Sequence, residues 1–163
     1  MMRLQVTHAV RHTPRDPAMK AIEIGRPHVQ VVNGATLVTD VAQVMRQHQV
    51  SCVVVAEASL RPEGIISERD IVLRAMAAGA DLSHLTAAAI MSTPAIVCHA
   101  DASLADVVQA MAGGAVAHLP LVDDHHHLVG IVSATDVTAA VTQLLGQLAG
   151  ALAADALTDR PYG

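Results

Sequence analysis

Apolar positions along the chain follow two periods in a fixed order. A short apolar run at 29–32 reads as a strand, and Asn33-Gly34 ends it with a turn. Leu37, Val38, Val41, Val44 and Met45 then fall on one face of a helix, with Thr36 as the expected N-cap. Residues 50–56 are apolar apart from Ser51 and mostly β-branched, as a strand buried on both faces requires. The polar stretch 57–63 leads to a second strand at 64–67, and a helix is expected over 68–78, closed by Gly79.

The order then repeats. Thr93-Pro94 opens the second half, 96–98 is its short strand, and Ser103 with Asp106 forms a capping box before Leu104, Val107, Val108 and Met111. Strands are expected at 118–122 and 128–132, joined by the polar turn Asp123-Asp124-His125-His126-His127. Thr135 starts a last helix whose apolar face runs Val137, Val141, Leu144, Leu145, Leu148 and Leu152. Each half reads β-α-β-β-α at about 60 residues, which is marginal for independent stability. Two such α/β (α+β) units are therefore expected to pack face to face, with pseudo-two-fold symmetry.

The repeat is also legible residue by residue. Gly64-Ile65-Ile66-Ser67-Glu68-Arg69-Asp70 and Gly130-Ile131-Val132-Ser133-Ala134-Thr135-Asp136 share glycine, apolar pair, serine and aspartate at an offset of 66 residues. The same offset relates Asp40 to Asp106, Met45 to Met111 and Val53 to Leu119. The expected organisation is an N-terminal extension over 1–20, a first unit over 21–80, a linker over 81–93, a second unit over 94–145, and a C-terminal helix extension and tail over 146–163.

Composition narrows the chemistry. The chain of 163 residues is 52% hydrophobic but has no Trp, no Phe and one Tyr, Tyr162, so the core must be aliphatic and a planar ligand would lie between aliphatic groups. A net charge of −5 and missing aromatic platforms argue against nucleic-acid binding. The first twenty residues are basic and hold prolines; lacking serine and an amphipathic run, they read as a loosely ordered extension and not as a transit peptide. Cys52 and Cys98 stand alone, without metal or redox spacing, and read as buried, reduced thiols of a cytoplasmic protein. The apolar stretch 137–156 is interrupted by Thr138, Thr142, Gln143, Gln147 and Asp155 and reads as a soluble helix, so no membrane partner is expected.

The two glycine-strand-Ser-x-x-Asp stretches, the strand Leu119-Pro120-Leu121-Val122 and the segment Ile90-Met91-Ser92-Thr93-Pro94 together resemble a tandem pair of CBS domains, or Bateman module, from about Ala21 to Leu145. The resemblance implies a regulatory, non-enzymatic pair that binds an adenosine nucleotide (AMP, ADP or ATP) or related adenosyl ligand in the cleft between the units. It has no catalytic cofactor, and it signals in trans to a regulated protein. By the same resemblance Asp136 would accept from both ribose hydroxyls, Ser133 and Thr135 would donate to phosphate at a helix start, and Pro94, Ala95 and Ile96 would line the adenine pocket. His118 would reach a phosphate. The chemistry is sound independently of the family, since a carboxylate matches a diol and a helix N-terminus matches an anion.

The first stretch departs from this pattern. Glu68-Arg69 replaces Ala134-Thr135, and Cys52 stands where the second unit has His118. Arg69 either binds phosphate or pairs with Glu68 or Asp70, so the Asp70 site, with Ser67, ranks below the Asp136 site. Both Ser-x-x-Asp stretches also suffice as helix caps alone, and His118 before a strand proline is also readable as a structural histidine. The Asp123 to His127 cluster reads as a solvated turn more than a metal site. The alternative to a sensor is a structural or dimerisation module without ligand. A homodimer is expected on either reading, because the faces of Leu37, Val41 and Met45 and of Leu104, Val108 and Met111, together with the last helix, exceed what one small disc can bury.

Overall fold

The computed structural model describes residues 19–158. The expected N-terminal extension, apart from its last two residues, and Tyr162 lie outside the described residues. The chain folds as two three-stranded sheets with helices. The first sheet has the order β1 (Val31–Val32), β2 (Cys52–Ala56), β3 (Pro62–Ser67), and the second β4 (Cys98–His99), β5 (His118–Val122), β6 (Leu128–Ser133). In each the first strand runs parallel to the central one and the third antiparallel.

The repeat is carried into register. Cys52 pairs with Ser67 as His118 pairs with Ser133, and the bulge between Val55 and Ala56 recurs between Leu121 and Val122, 66 residues on. Helices α2 (Val38–His48) and α5 (Leu104–Gly114) are equivalent end to end, and both stop on a left-handed residue, Gln49 and Ala115. Neither is glycine, so both helix ends carry the cost of that conformation. The central strands β2 and β5 are almost wholly buried, which explains their unbroken apolar runs.

The short helices α1 (Ala21–Ile24) and α4 (Ala87–Ile90) are also 66 residues apart, and they change places. Ala87 and Ile90 pack with Val38, Val41, Val53 and Ile66 in the first core, whereas Ala21 packs with Val107, Leu119, Leu121 and Val132 in the second. Backbone bonds fix the exchange. Arg26 and Ile131 exchange two, N to O at 2.8 and 2.9 Å, and Ser92 and Ile65 do the same at 2.9 and 3.1 Å. The glycine that opens each repeated stretch permits this approach. A Cβ on Gly130 would lie 2.9 Å from the Arg26 carbonyl oxygen, and one on Gly64 would lie 2.5 Å from Met91 Sδ.

Several local expectations need correction. The stretch expected as linker contains α4. The N-cap of α2 is Leu37 and not Thr36, whose hydroxyl instead donates to Asn33 Oδ1 at 3.1 Å, within the Asn33-Gly34 turn. The first strand of each unit is shorter than its apolar run, two residues in each case. The helix after β3 begins as α3 (Glu68–Asp70) but widens to π-type turns over Ile71–Met76. Gly79, with φ +66°, follows it as expected. The last helix, α6 (Ala134–Thr158), starts one residue early. Beyond Ala140 its apolar face leaves the body: Leu144, Leu145, Leu148 and Leu152 are 42–62% exposed. By length and composition α6 is long and apolar enough to cross a membrane, the span being Ala134–Asp155.

Candidate functional site

A cleft of about 730 Å³ lies where the two halves meet. Arg26, His28, Val29 and Gln30 line it from the strap before β1, Met45 and Arg46 from α2, Ser51 and Cys52 from the start of β2, and Glu68, Ile71 and Val72 from the helix after β3. The second unit contributes His118, Ile131, Ser133, Thr135 and Asp136. The site is thus assembled from segments more than a hundred residues apart in sequence.

Of the residues expected to act together, Ser133, Thr135, Asp136 and His118 do converge. Pro94, Ala95 and Ile96 do not line this cleft. The strap that does is their equivalent 66 residues earlier, His28, Val29 and Gln30, because the exchange of α1 and α4 carries each strap to the other unit's sheet. Pro94 follows a cis peptide bond, Ala95 donates its N–H to the Glu63 carbonyl at 3.1 Å, and Ile96 lies against Gly114 at the end of α5. Ala95 is thereby tied to β3, the strand that ends at Ser67.

Asp136 is 15% exposed at the head of α6. Its Oδ2 accepts the Ser133 N–H at 2.9 Å and the Ser133 hydroxyl at 2.5 Å, and its own N–H donates back to Ser133 Oγ at 3.2 Å. Its Oδ1 accepts Nε and Nη2 of Arg26 at 3.2 and 2.9 Å. Burial pushes the carboxyl pKa up, but the Ser133 hydroxyl, the Arg26 guanidinium and the Ser133 N–H together hold it below its ordinary 3.8. Arg26 is the member that sequence reasoning missed. Its only signal was a basic residue before Pro27, and nothing local ties it to a carboxylate 110 positions on.

Asp70 forms the same box with Ser67, 2.8 Å from the N–H and 2.6 Å from the hydroxyl, but its other oxygen faces Arg74 at 3.3 Å. Arg74 is itself anchored to the carbonyls of Ile90 and Met91 at 2.9 and 3.1 Å. The pairing weighed for Arg69 is taken by Arg74, one helical turn from Asp70, while Arg69 is exposed. A third box, Ser103 with Asp106 at the head of α5, has the same geometry and does not line the cleft. Box geometry by itself is therefore no evidence of a ligand.

His118 is half-buried, with Nε2 3.2 Å from Ser51 Oγ. Burial lowers its pKa below 6.5 against the opposing pull of Asp136, and Arg26 adds to the lowering. Its counterpart Cys52 is pushed up to about 11 by burial, which leaves an unreactive thiol on the cleft wall. In the 123–127 turn, Asp123 Oδ1 caps the N–H groups of His125 and His127 at 2.9 and 2.8 Å. Among the described residues no group of three or more His, Cys, Asp or Glu is placed to hold a metal ion.

Comparison with known proteins places the architecture in a class, the paired regulatory domains built from β-α-β-β-α repeats. The CBS-domain family model matches residues 21–76 and 87–143, and the chain belongs to that family. It is 34% identical over 122 residues to the CBS domain-containing protein YhcV of Bacillus subtilis, covering 75% of this chain and 84% of that one. It is 32% identical over 122 residues to an uncharacterised protein of Methanopyrus kandleri, covering 73% of this chain but only 62% of the length of that relative. Among solved structures it resembles Hypoxic Response Protein I with two coordinated zinc ions, at 29% identity and a TM-score of 0.66 over 73% of this chain and 96% of that one. It shares the fold of CBSX2 in complex with AMP, at 19% identity and a TM-score of 0.65 over 76% of this chain and 97% of that one.

Proposed function

We propose that this CBS pair is a regulatory, non-enzymatic sensor that binds an adenosine nucleotide or related adenosyl ligand in the Asp136 cleft. It acts in trans on a partner protein in the cytoplasm. The observation that carries the reading is the cleft itself. Its 730 Å³ lies within the range of small-molecule sites, and it combines an acidic acceptor, two arginines and a helix start with aliphatic walls from Val29, Met45, Val50 and Ile131. Asp136 would take the ribose hydroxyls and Thr135 and His118 the phosphate end, while Ser133, whose one hydroxyl proton is given to Asp136 Oδ2, holds the carboxylate in place, and the base would slide between the aliphatic residues of the strap and α2. That CBSX2 carries AMP on the same fold supports this choice of ligand.

The Asp70 site, with Ser67, Arg69 and Pro94-Ala95-Ile96, ranks second as a ligand site, because Arg74 closes its carboxylate. The protein self-associates as a homodimer through the exposed face of α6 with Val108, Leu73 and Met76; of the faces expected to drive it, Val41, Met45 and Met111 are instead buried in the two cores.

A second reading, a structural or dimerisation module without ligand, is favoured by one observation. The Ser103–Asp106 box has the same geometry outside that cleft. Titration calorimetry with AMP, ADP, ATP, NADH and S-adenosylmethionine separates the two. Saturable binding of an adenosyl ligand supports the sensor, and silence across the panel leaves the structural module.

A further inference from the structure

The Asp136 carboxylate has no acceptor capacity left. An ionised carboxylate offers about four lone-pair sites. Four donors fill them: the N–H and hydroxyl of Ser133 on Oδ2, and Nε and Nη2 of Arg26 on Oδ1. A ribose diol brings donors of its own, so it can enter only by displacing some of these.

The two pairs are not equally held. The Ser133 pair is part-buried and closes the first turn of α6, so losing it uncaps the helix. The Arg26 guanidinium is 64% exposed and joins Asp136 through solvent-screened contacts. Its backbone is pinned independently by the pair of hydrogen bonds exchanged with the backbone of Ile131, so the side chain can swing without moving the strap. Arginine released in this way stands at the cleft wall with its donors unmet. It is suited to bidentate contact with phosphate.

We propose that Arg26 is a latch on Asp136 that selects phosphorylated ligands. This deepens the nucleotide reading above and rests on it. A nucleotide displaces Arg26 from Oδ1 with its diol and re-engages the guanidinium with its phosphate. A neutral nucleoside opens the latch and offers nothing in return. The Asp70 site has no such exchange, because Arg74 is fixed on two backbone carbonyls as well as on the carboxylate.

The signature is a change of opposite sign for two ligands on one substitution. Calorimetry of AMP and adenosine against the full chain is compared for wild type, Arg26→Gln and Arg26→Lys, each checked by thermal melting without ligand. Wild type should prefer AMP by about tenfold or more, the scale of one charge-assisted contact. Arg26→Gln should weaken AMP about fivefold or more and tighten adenosine severalfold, because the diol no longer competes with a guanidinium. Arg26→Lys should fall between and serves alone if the glutamine variant fails to fold. If wild type binds AMP but favours it no more than adenosine, or if the substitution shifts both ligands equally or neither, the latch is refuted while the site stands. If wild type binds neither ligand, the nucleotide reading and the latch fall together.

Discussion

Asp136→Asn tests the site most directly, because the structure separates what each carboxylate oxygen does. With its carbonyl oxygen in the place of Oδ2, asparagine still accepts the N–H and hydroxyl of Ser133 and so keeps the box, while Ser133 remains the N-cap of α6. The amide nitrogen then replaces Oδ1 and faces the donors of Arg26, so the ion pair is lost. With Arg26 64% exposed, that pair contributes about 0.2–1 kcal/mol. The ligand-free melting temperature should therefore fall by no more than about 4 °C. Binding loses a charged acceptor worth about 1.5–3 kcal/mol net and recovers up to about 1 kcal/mol because the latch no longer has to be opened. The expected net loss is about 0.5–3 kcal/mol, or roughly 2- to 150-fold in the affinity for AMP. Asp106→Asn, which alters the same box outside the cleft, should leave affinity unchanged. Equal calorimetric affinity of wild type and Asp136→Asn for AMP would refute the ribose role. Acid stability provides a second check. The folded pKa of Asp136 is depressed, so its contribution is present above the ordinary 3.8 and lost as pH falls through the folded value. Asp136→Asn should flatten that part of the acid unfolding profile.

His118 has a folded pKa below 6.5, so phosphate bound beside it should draw in a proton as it raises that pKa. AMP binding between pH 6 and pH 7, followed by buffer-dependent heats, should therefore take up more protons in wild type than in His118→Asn, the ligand phosphate's own ionisation being common to both; equal proton uptake by the two proteins would count against phosphate contact. Gly130→Ala should destabilise the fold by about 1–3 kcal/mol, since its Cβ would meet the Arg26 carbonyl oxygen at 2.9 Å. Gly150→Ala, with nothing within 4 Å, should instead stabilise α6 by about 0.8–1 kcal/mol, and thermal melts compare the two. Leu148→Glu, on the exposed face of α6, should shift sedimentation from dimer to monomer at micromolar concentration without altering the body's melting. Wild type that is monomeric there, or that floats with lipid vesicles, sinks the homodimer.

The sequence showed the repeat but not how its parts are exchanged, and the reason is physical. An offset of 66 residues is readable because each strand and long helix carries its own apolar period, and the register of Cys52 with Ser67 and of His118 with Ser133 follows from it. Helices α1 and α4 have four residues each, too few to display a period. Their destination is decided by tertiary contacts: Ala21 fits the second core, Ala87 and Ile90 the first, and the glycines at 64 and 130 leave room for the straps. A resemblance read unit by unit therefore assigned Pro94, Ala95 and Ile96 to Asp136, whereas the exchange brings His28, Val29 and Gln30 there. Arg26 was hidden for the same reason. Both arginine pairs act on motif carboxylates, yet Arg74 reaches Asp70 from four residues along one helix, and Arg26 reaches Asp136 only because α1 has crossed over. Duplication copied the carboxylates and their serine caps, but not the arginines: Arg26 corresponds to Ser92, and Arg74 to Ala140. The two sites therefore differ in what holds them closed. Both arginines are exposed, but Arg26 holds only the carboxylate, whereas Arg74 also has Nη1 on two backbone carbonyls. On the proposed reading, that difference, and not the shared Ser-x-x-Asp pattern, is why a ligand is expected to act at the Asp136 cleft and not at Asp70.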